Sequence, residues 1–134
     1  MLKKDYRITI LTRNIDKAKQ VFKDQVSYLD WNTASLSNER FDGVVNLAGA
    51  NIGTKRWSSS YKQEIIESRV QSIRKINDII SGLSKKPEVW VQASAIGFYE
   101  TRFGCKMDET DRQGSGFLSK VVNRWEQELE RLVS

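Results

Sequence analysis

The stretch that decides the fold is Phe41–Gly53, with the sequence FDGVVNLAGANIG. Its apolar run, Val44–Ala48, carries Asn46 in the middle and is followed by small residues that begin at Gly49. This pattern is typical of a buried strand of an α/β sheet that ends in a small-residue loop. Such a loop lets a ligand approach the backbone, and ligands of open α/β sheets bind just beyond the carboxyl ends of strands. The stretch therefore predicts a ligand site beside Asn46 and Gly49.

The composition limits the class of protein. The chain has 134 residues, of which 39% are hydrophobic and 29% charged, a balance typical of one globular domain. No apolar stretch approaches the ~18 residues that a membrane-spanning helix needs, and the start MLKKDYR lacks the apolar core of a signal peptide. The single Cys105 excludes an internal disulfide, and the absence of histidine removes the commonest metal ligand. A cytoplasmic protein without a metal site or a membrane partner is predicted.

The net charge of +5 raises the question of a nucleic-acid partner. The basic residues are scattered and often stand beside acids, as in KDYR and RWEQELER. Single-strand binders instead interleave Lys and Arg with aromatic residues along one stripe, which this sequence lacks. We therefore predict no nucleic-acid partner, and the positive charge suits a mild attraction of anionic cofactors.

Alternating strand and helix patterns flank the opening stretch. Strands are predicted at Tyr6–Thr12, Val26–Leu29, 43–48 and Glu88–Ser94. Helices are predicted from an Asn14 or Asp16 cap to Phe22, at Ser58–Ser81 with Gly82 as its stop, and at Phe117–Val133. Strands that alternate with helices favour an α/β fold with a parallel sheet.

The helical spacing of apolar residues predicts which helix faces are buried. In the first helix these residues are Ala18, Val21 and Phe22. In the second they are Tyr61, Ile65, Ile66, Val70, Ile73, Ile76 and Ile80, and in the last Phe117, Val121, Val122, Trp125, Leu129 and Leu132. Arg124 and Glu128 are predicted to support the solvated face of the last helix.

Charged residues follow the first two predicted strands directly. In dinucleotide-binding folds, an Arg placed like Arg13 accommodates a 2′-phosphate, so Arg13 favours NADP over NAD. A solvated Arg at a strand end explains this position equally well. Asp30 could accept a hydrogen bond from an adenine amino group, although Asp is also a common turn residue.

Three polar residues accompany the later strands. Asn46 lies inside an apolar strand, so its side chain must find a partner and has at least a structural role. Ser94 follows the fourth strand, where a hydroxyl could bind a substrate carbonyl or hydroxyl group, and Tyr99 could supply a phenol. Ordinary polar loop residues are the simpler interpretation of both.

Several motifs together resemble one family: NLAGANIGTKRW, KQEIIESRVQSIRKI, ASAIGFY, DET and GFLSKVVNRWE. They are similar to the atypical, epimerase-like branch of the extended short-chain dehydrogenase/reductase superfamily, the NAD-dependent epimerase/dehydratase family. The similarity runs from about Arg7 to the carboxyl terminus. It implies a protein with a Rossmann fold that binds NADP(H) in preference to NAD and acts on a small-molecule substrate.

The resemblance also implies roles for individual residues. Arg13 would lie near the 2′-phosphate, and Asp30 and Trp31 near the adenine. Thr12, directly before Arg13, would also bind the cofactor. Ser94 would be the catalytic serine, with Tyr99 as a further acid–base candidate. The residues along the cofactor would be Asn46, Leu47, Ala48 and Gly49.

The sequence departs from the family pattern in three ways. It carries no GGxGxxG loop and no strand before it, and that loop normally places the pyrophosphate on a helix N-terminus. The YxxxK dyad is replaced by Phe117 or Leu118 and by Val121 or Val122, with Lys120 out of register. The later strands and the carboxyl-terminal substrate domain are also absent from this sequence.

We therefore predict that residues 1–134 form a partial dinucleotide-binding domain with an incomplete Rossmann-like parallel sheet and flanking helices. The missing first strand would lie between 7–12 and 43–48, leaving unpaired edges that a homo-oligomer or a complementing chain would cover. The predicted function is that of a fragment of an NADP(H)-binding epimerase-like reductase, whose parent oxidises, reduces or epimerises a carbonyl or hydroxyl substrate. The alternative is a non-catalytic remnant or partner-dependent module, in which cofactor binding is lost.

Overall fold

The computed structural model describes residues 6–32, 39–100 and 104–133. The chain divides into two units, residues 1–37 and residues 38–134, which are described separately. The first unit contains β1 (Thr9–Thr12), α1 (Ile15–Phe22) and β2 (Ser27–Asp30). The second contains β3 (Gly43–Asn46), α2 (Ser59–Gly82), β4 (Val89–Gln92) and α3 (Phe117–Val133). Short 3₁₀ turns occupy Lys23–Gln25 and Ile96–Phe98.

In the first unit, β1 and β2 form a parallel pair joined by α1. The register runs from Thr9 opposite Ser27 to Thr12 opposite Asp30. Asn14 caps α1, as predicted, since its Oδ1 accepts a hydrogen bond from the Lys17 N–H at 2.8 Å. The pair is shorter than predicted because β1 begins at Thr9 rather than at residue 6.

The prediction that Ala18, Val21 and Phe22 form a buried face of α1 is largely wrong. Ala18 is half-buried, but Val21 is 67% exposed and Phe22 is 44% exposed. Two strands of four residues each give a helix too little surface to bury a full apolar stripe. In the described part of the first unit, α1 therefore keeps much of its apolar face open to solvent.

In the second unit, β3 and β4 form another parallel pair, with Gly43 opposite Val89 and Asn46 opposite Gln92. β4 is shorter at both ends than the predicted strand 88–94. The Ser58 Oγ caps α2 by accepting a hydrogen bond from the Tyr61 N–H at 3.2 Å. Gly82, the predicted stop, is the last residue of α2.

Helices α2 and α3 pack against each other and form the core of the second unit. Tyr61, Ile65 and Val121 make a buried cluster that Ala50, Ile66 and Phe117 pack against. Other buried apolar residues are Val70, Ile73, Ile76, Leu83, Val122 and Trp125. The apolar stripes of both helices predict this packing, although Ile66, Ile80, Phe117, Leu129 and Leu132 are only half-buried.

One face of the β3–β4 pair is exposed. Val45, Val89 and Val91 are 62%, 52% and 50% exposed, while Asn46 on the opposite face is buried. Within the described ranges, each strand has a single ladder partner. The structure is thus an α/β arrangement of parallel pairs with flanking helices, in agreement with the predicted incomplete sheet.

The prediction that Glu128 lies on the solvated face of α3 is wrong, because its side chain is only 1% exposed. Its carboxylate accepts hydrogen bonds from Arg74 Nε at 2.8 Å, Arg124 Nη1 at 3.0 Å and Arg131 Nη2 at 2.7 Å. The Glu128 pKa is lowered to about 2, chiefly by the hydrogen bonds from Arg74. Burial of the carboxylate acts in the opposite direction and raises the pKa. Arg124 and Arg131 stand four residues before and three residues after Glu128 on the same helix, so only Arg74 lacks a recognisable spacing.

None of the helices among the described residues is both long and apolar enough to cross a membrane.

Candidate functional site

Asn46 ends β3 and is the buried polar centre of the site. Its Nδ2 donates to Ser72 Oγ at 3.0 Å and to Gln92 Oε1 at 2.9 Å. Its Oδ1 accepts from the Ala48 N–H at 3.0 Å. The side chain therefore has the partners that a buried amide requires, and it joins β3, β4 and α2 at the start of the loop.

The loop after β3 presents small residues to solvent. Leu47, Ala48 and Gly49 are exposed, and Leu47 is 78% exposed. On the other side of the loop, a Cβ added at Gly49 would lie 2.9 Å from Arg69 Cζ and 3.1 Å from Arg69 Cγ. Gly49 thus approaches α2 closely, and a side chain at this position would have to displace the Arg69 side chain.

Ser94 lies at the same edge of this strand pair. The Ala93 N–H donates to the Asn46 backbone oxygen at 3.1 Å, which places the segment after β4 beside the end of β3. The exposed Ser94 Oγ–H donates to Glu126 Oε1 on α3. Glu126 has no sequence signal of its own, since this contact spans 32 residues of chain.

Tyr99 follows the 3₁₀ turn and is bridged in antiparallel fashion to Gln113. Its pKa is raised, first by desolvation and then by the charges of four acidic residues: Glu109, Asp111, Asp108 and Glu126. A phenol whose pKa is raised stays protonated at neutral pH, so it is a better hydrogen-bond donor than base. This environment favours hydrogen-bond donation by the Tyr99 phenol and disfavours loss of its proton.

The predicted adenosine-side residues form a second group, in the first unit. Thr12 and Asp30 stand opposite each other at the ends of β1 and β2, and the Trp31 N–H donates to the Thr12 backbone oxygen at 2.8 Å. Asp30 Oδ1 accepts from the Asn32 N–H at 2.8 Å. Arg13 is exposed directly after β1. The fold thus brings Thr12, Arg13, Asp30 and Trp31 to one edge.

Of two cavities in the described ranges, one adjoins Tyr99, because Gln113 lines it, and the other lies away from the predicted site residues. One, of about 410 Å³, is lined by residues that include Glu100, Asp111 and Arg112. The other, of about 190 Å³, lies at the amino ends of β1 and β2. The carboxyl-end loops are open surfaces, and their chemistry rather than an enclosed volume marks them as the site.

Comparison with known proteins decides the family. No family model matches the chain. An epimerase family protein of Staphylococcus haemolyticus is 39% identical over 134 residues, which cover 98% of this chain and 44% of the relative. Another from Staphylococcus saprophyticus is 36% identical over 129 residues, covering 94% of this chain and 42% of the relative. The chain is homologous to epimerase family proteins.

This homology confirms the resemblance to epimerase-like short-chain dehydrogenases/reductases. The epimerase-family chain spans less than half the length of these curated relatives. A solved structure, the human epimerase family protein SDR39U1 (isoform 2) with NADPH, matches with a TM-score of 0.74 and 24% identity. The match covers 93% of this chain and 41% of that one, and it shows that the two share a fold.

Four residues that support the site are not predicted from the sequence. Asn46 is contacted by Ser72 and Gln92, and the loop is contacted by Ser68 and Arg69. All four residues lie on elements far along the chain from their contacts. Their signal in the sequence is weak because Ser, Arg and Gln on a helix or strand normally face solvent.

Proposed function

We propose that residues 1–134 form part of the dinucleotide-binding domain of an NADP(H)-dependent, epimerase-like oxidoreductase. The observation that carries this proposal is the loop after β3, which Asn46 holds at the carboxyl end of a parallel strand with Ala48 and Gly49 exposed. Ligands of α/β sheets bind at such positions. The NADPH in the human structural neighbour supports the same class of ligand.

The residues present fit different parts of the cofactor to different degrees. Exposed small residues at 48 and 49 admit close approach of a ligand. The Arg13 guanidinium suits a 2′-phosphate, with which it can form charge-assisted hydrogen bonds. Asp30 and Trp31 offer a carboxylate and a ring to an adenine.

The cofactor would supply hydride transfer, and the protein would position the substrate. Ser94 is the group that we assign to the substrate oxygen, because it is exposed at the carboxyl end of β4. Its hydroxyl can donate to a substrate carbonyl, or accept from a substrate hydroxyl while donating to Glu126. Tyr99, whose raised pKa keeps its phenol protonated, would donate a hydrogen bond to the substrate. A small carbonyl or hydroxyl compound is the proposed substrate class.

Titration of the purified chain with NADPH, followed by nicotinamide fluorescence, tests the proposal. We expect saturable binding in the micromolar range, and weakening of that binding by Gly49→Ala, because the added Cβ pushes on Arg69. Gly82→Ala is the matched control, since a Cβ at Gly82 would meet open space. Absence of binding at millimolar NADPH would contradict the proposal and favour the partner-dependent module.

A further inference from the structure

Both backbone groups of one loop residue, Ala50, are held by consecutive residues of α2. The Ala50 N–H donates to Ser68 Oγ at 2.9 Å, and the Ala50 backbone oxygen accepts from Arg69 Nη1 at 3.2 Å. Asn46 holds the Ala48 N–H on one side of this point, and the Tyr61 hydroxyl donates to the Asn51 backbone oxygen on the other. The loop is therefore fixed at three positions: Ala48, Ala50 and Asn51.

Arg69 is itself fixed on several sides. Its Nη1 also donates to the Ile65 backbone oxygen at 2.9 Å, and its Cζ lies 5.3 Å from the centre of the Trp125 ring. Burial lowers the pKa of Arg69, as expected for a partly desolvated cation. Gly49 leaves the space that the guanidinium occupies. A partly buried cation is costly unless its hydrogen bonds compensate, and here the compensating acceptors include the ligand loop.

We propose that Ser68 and Arg69 are positioning residues that preform the loop 48–51 for a dinucleotide. The proposal rests on the proposed function. A preformed loop spares the ligand the entropy cost of ordering it, so affinity depends on residues that never touch the ligand. The outer side of the loop, at Leu47 and Gly49, stays exposed for the ligand, while the inner side is occupied by α2.

The variants must separate positioning from packing, because Arg69 also contacts Trp125. Arg69→Met keeps the aliphatic stem and removes the donors, and Arg69→Lys restores one charged donor. Ser68→Ala removes the acceptor for the Ala50 N–H. Lys75→Met is the matched control, since it removes a cation from the same helix outside these loop contacts.

Hydrogen exchange of the Ala50 amide is the first readout, and it requires no ligand. We expect exchange about tenfold faster in Ser68→Ala and in Arg69→Met, which corresponds to the loss of one ordinary hydrogen bond. Amides in the core of α2 and all amides in Lys75→Met should keep their wild-type rates. An unchanged Ala50 rate, or uniform acceleration along α2, would overturn the positioning role.

Affinity for NADPH is the second readout. We expect the Kd to rise about five- to tenfold in Arg69→Met and to recover in part in Arg69→Lys, with thermal stability reported alongside. An unchanged Kd in Arg69→Met would overturn the proposal. A wild-type chain that binds no NADPH would instead overturn the proposed function, so the two failures are distinguishable.

A double-mutant cycle gives a third test. Because the Gly49 position touches Arg69, Gly49→Ala should weaken NADPH binding less in an Arg69→Ala background than in the wild type. Strict additivity of the two substitutions would show that Arg69 does not set the loop and would contradict the proposal.

Discussion

Glu128 on α3 accepts two hydrogen bonds from Arg74 on α2, at 2.8 Å from Nε and 3.2 Å from Nη2. The paired geometry matches the fork of a guanidinium to a carboxylate. Arg124 and Arg131 complete the set from the same helix as Glu128. The two helices that carry Arg69 and Glu126 are thus joined by an ionic cluster as well as by their apolar core.

Substitution Glu128→Gln should destabilise the fold by about 2 kcal/mol. Removing one member of a buried ion pair typically costs about 3–5 kcal/mol, but these arginines are 40–63% exposed and remain hydrated, which reduces the cost. Urea unfolding followed by circular dichroism measures the change. Glu64→Gln is the control, since Glu64 pairs with Lys55 on the surface and should change stability by less than about 0.5 kcal/mol. Equal effects of the two substitutions would contradict the assignment.

The stabilising effect of Glu128 should disappear in acid. Its pKa is lowered from an ordinary value of 4.5 to about 2 in the folded chain. A carboxyl group with a depressed folded pKa stabilises the fold above its unfolded pKa and loses that effect as the pH falls through the folded value. The stability difference between the wild type and Glu128→Gln should therefore be constant near neutrality and shrink between pH 4.5 and 2. A difference that grows in this window would refute the prediction.

Substitution Asn46→Ala should both destabilise the second unit and loosen its ligand loop. The substitution removes the amide that forms hydrogen bonds with Ser72, Gln92 and the Ala48 N–H. Buried polar groups that are left without a hydrogen bond cost roughly 1–3 kcal/mol of stability. Thermal unfolding and NADPH titration measure the two effects. Asn123→Ala, which removes one surface contact with Gln113, should change neither by more than a small amount. Wild-type behaviour of Asn46→Ala would argue against a central role for this side chain.

Substitution Arg13→Ala should reduce affinity for NADPH while leaving affinity for NADH unchanged. The expected loss is about tenfold, because the 2′-phosphate would lose a charge-assisted contact that NADH never makes. Fluorescence titrations with both nucleotides give the ratio. Arg112→Ala, in the second unit, controls for the general loss of positive charge. Equal losses for both nucleotides would contradict recognition of the 2′-phosphate by Arg13.

The purified chain should self-associate. The β3–β4 pair exposes Val45 and Val91, and its outer edges carry backbone groups without a ladder partner in the described ranges. Exposed strand edges and apolar faces favour association. Size-exclusion chromatography with light scattering should show an oligomer of the wild-type chain. The double variant Val45→Lys, Val91→Lys should shift this oligomer toward the monomer, and the control Gln63→Lys on α2 should leave it unchanged. A compact wild-type monomer would disprove this expectation.

Local sequence signals were sufficient for most of the fold. The alternation in β1, the Asn14 and Ser58 caps and the apolar stripes of α2 and α3 depend on residues a few positions apart, so they can be read without tertiary information. The motif around Asn46, together with the four other motifs that follow it along the chain, was likewise sufficient to recognise the epimerase-like family, which the homologues confirm. The exposed Val21 and Phe22 mark the limit of this reasoning, because periodicity shows which face is apolar and not what covers it.

The sequence by itself determined the element order, the family and the placement of Ser94 after a strand, whereas it put Asn46 inside a strand that in the structure ends at this residue. Only the tertiary structure decided that Glu128 is buried among three arginines, that Glu126 accepts from Ser94 and that Arg69 holds the Ala50 oxygen. The reason is physical. A polar side chain on a helix has the same spacing whether it faces water or a partner. A contact between residues 19 to 54 positions apart becomes visible only when the elements that carry them pack together.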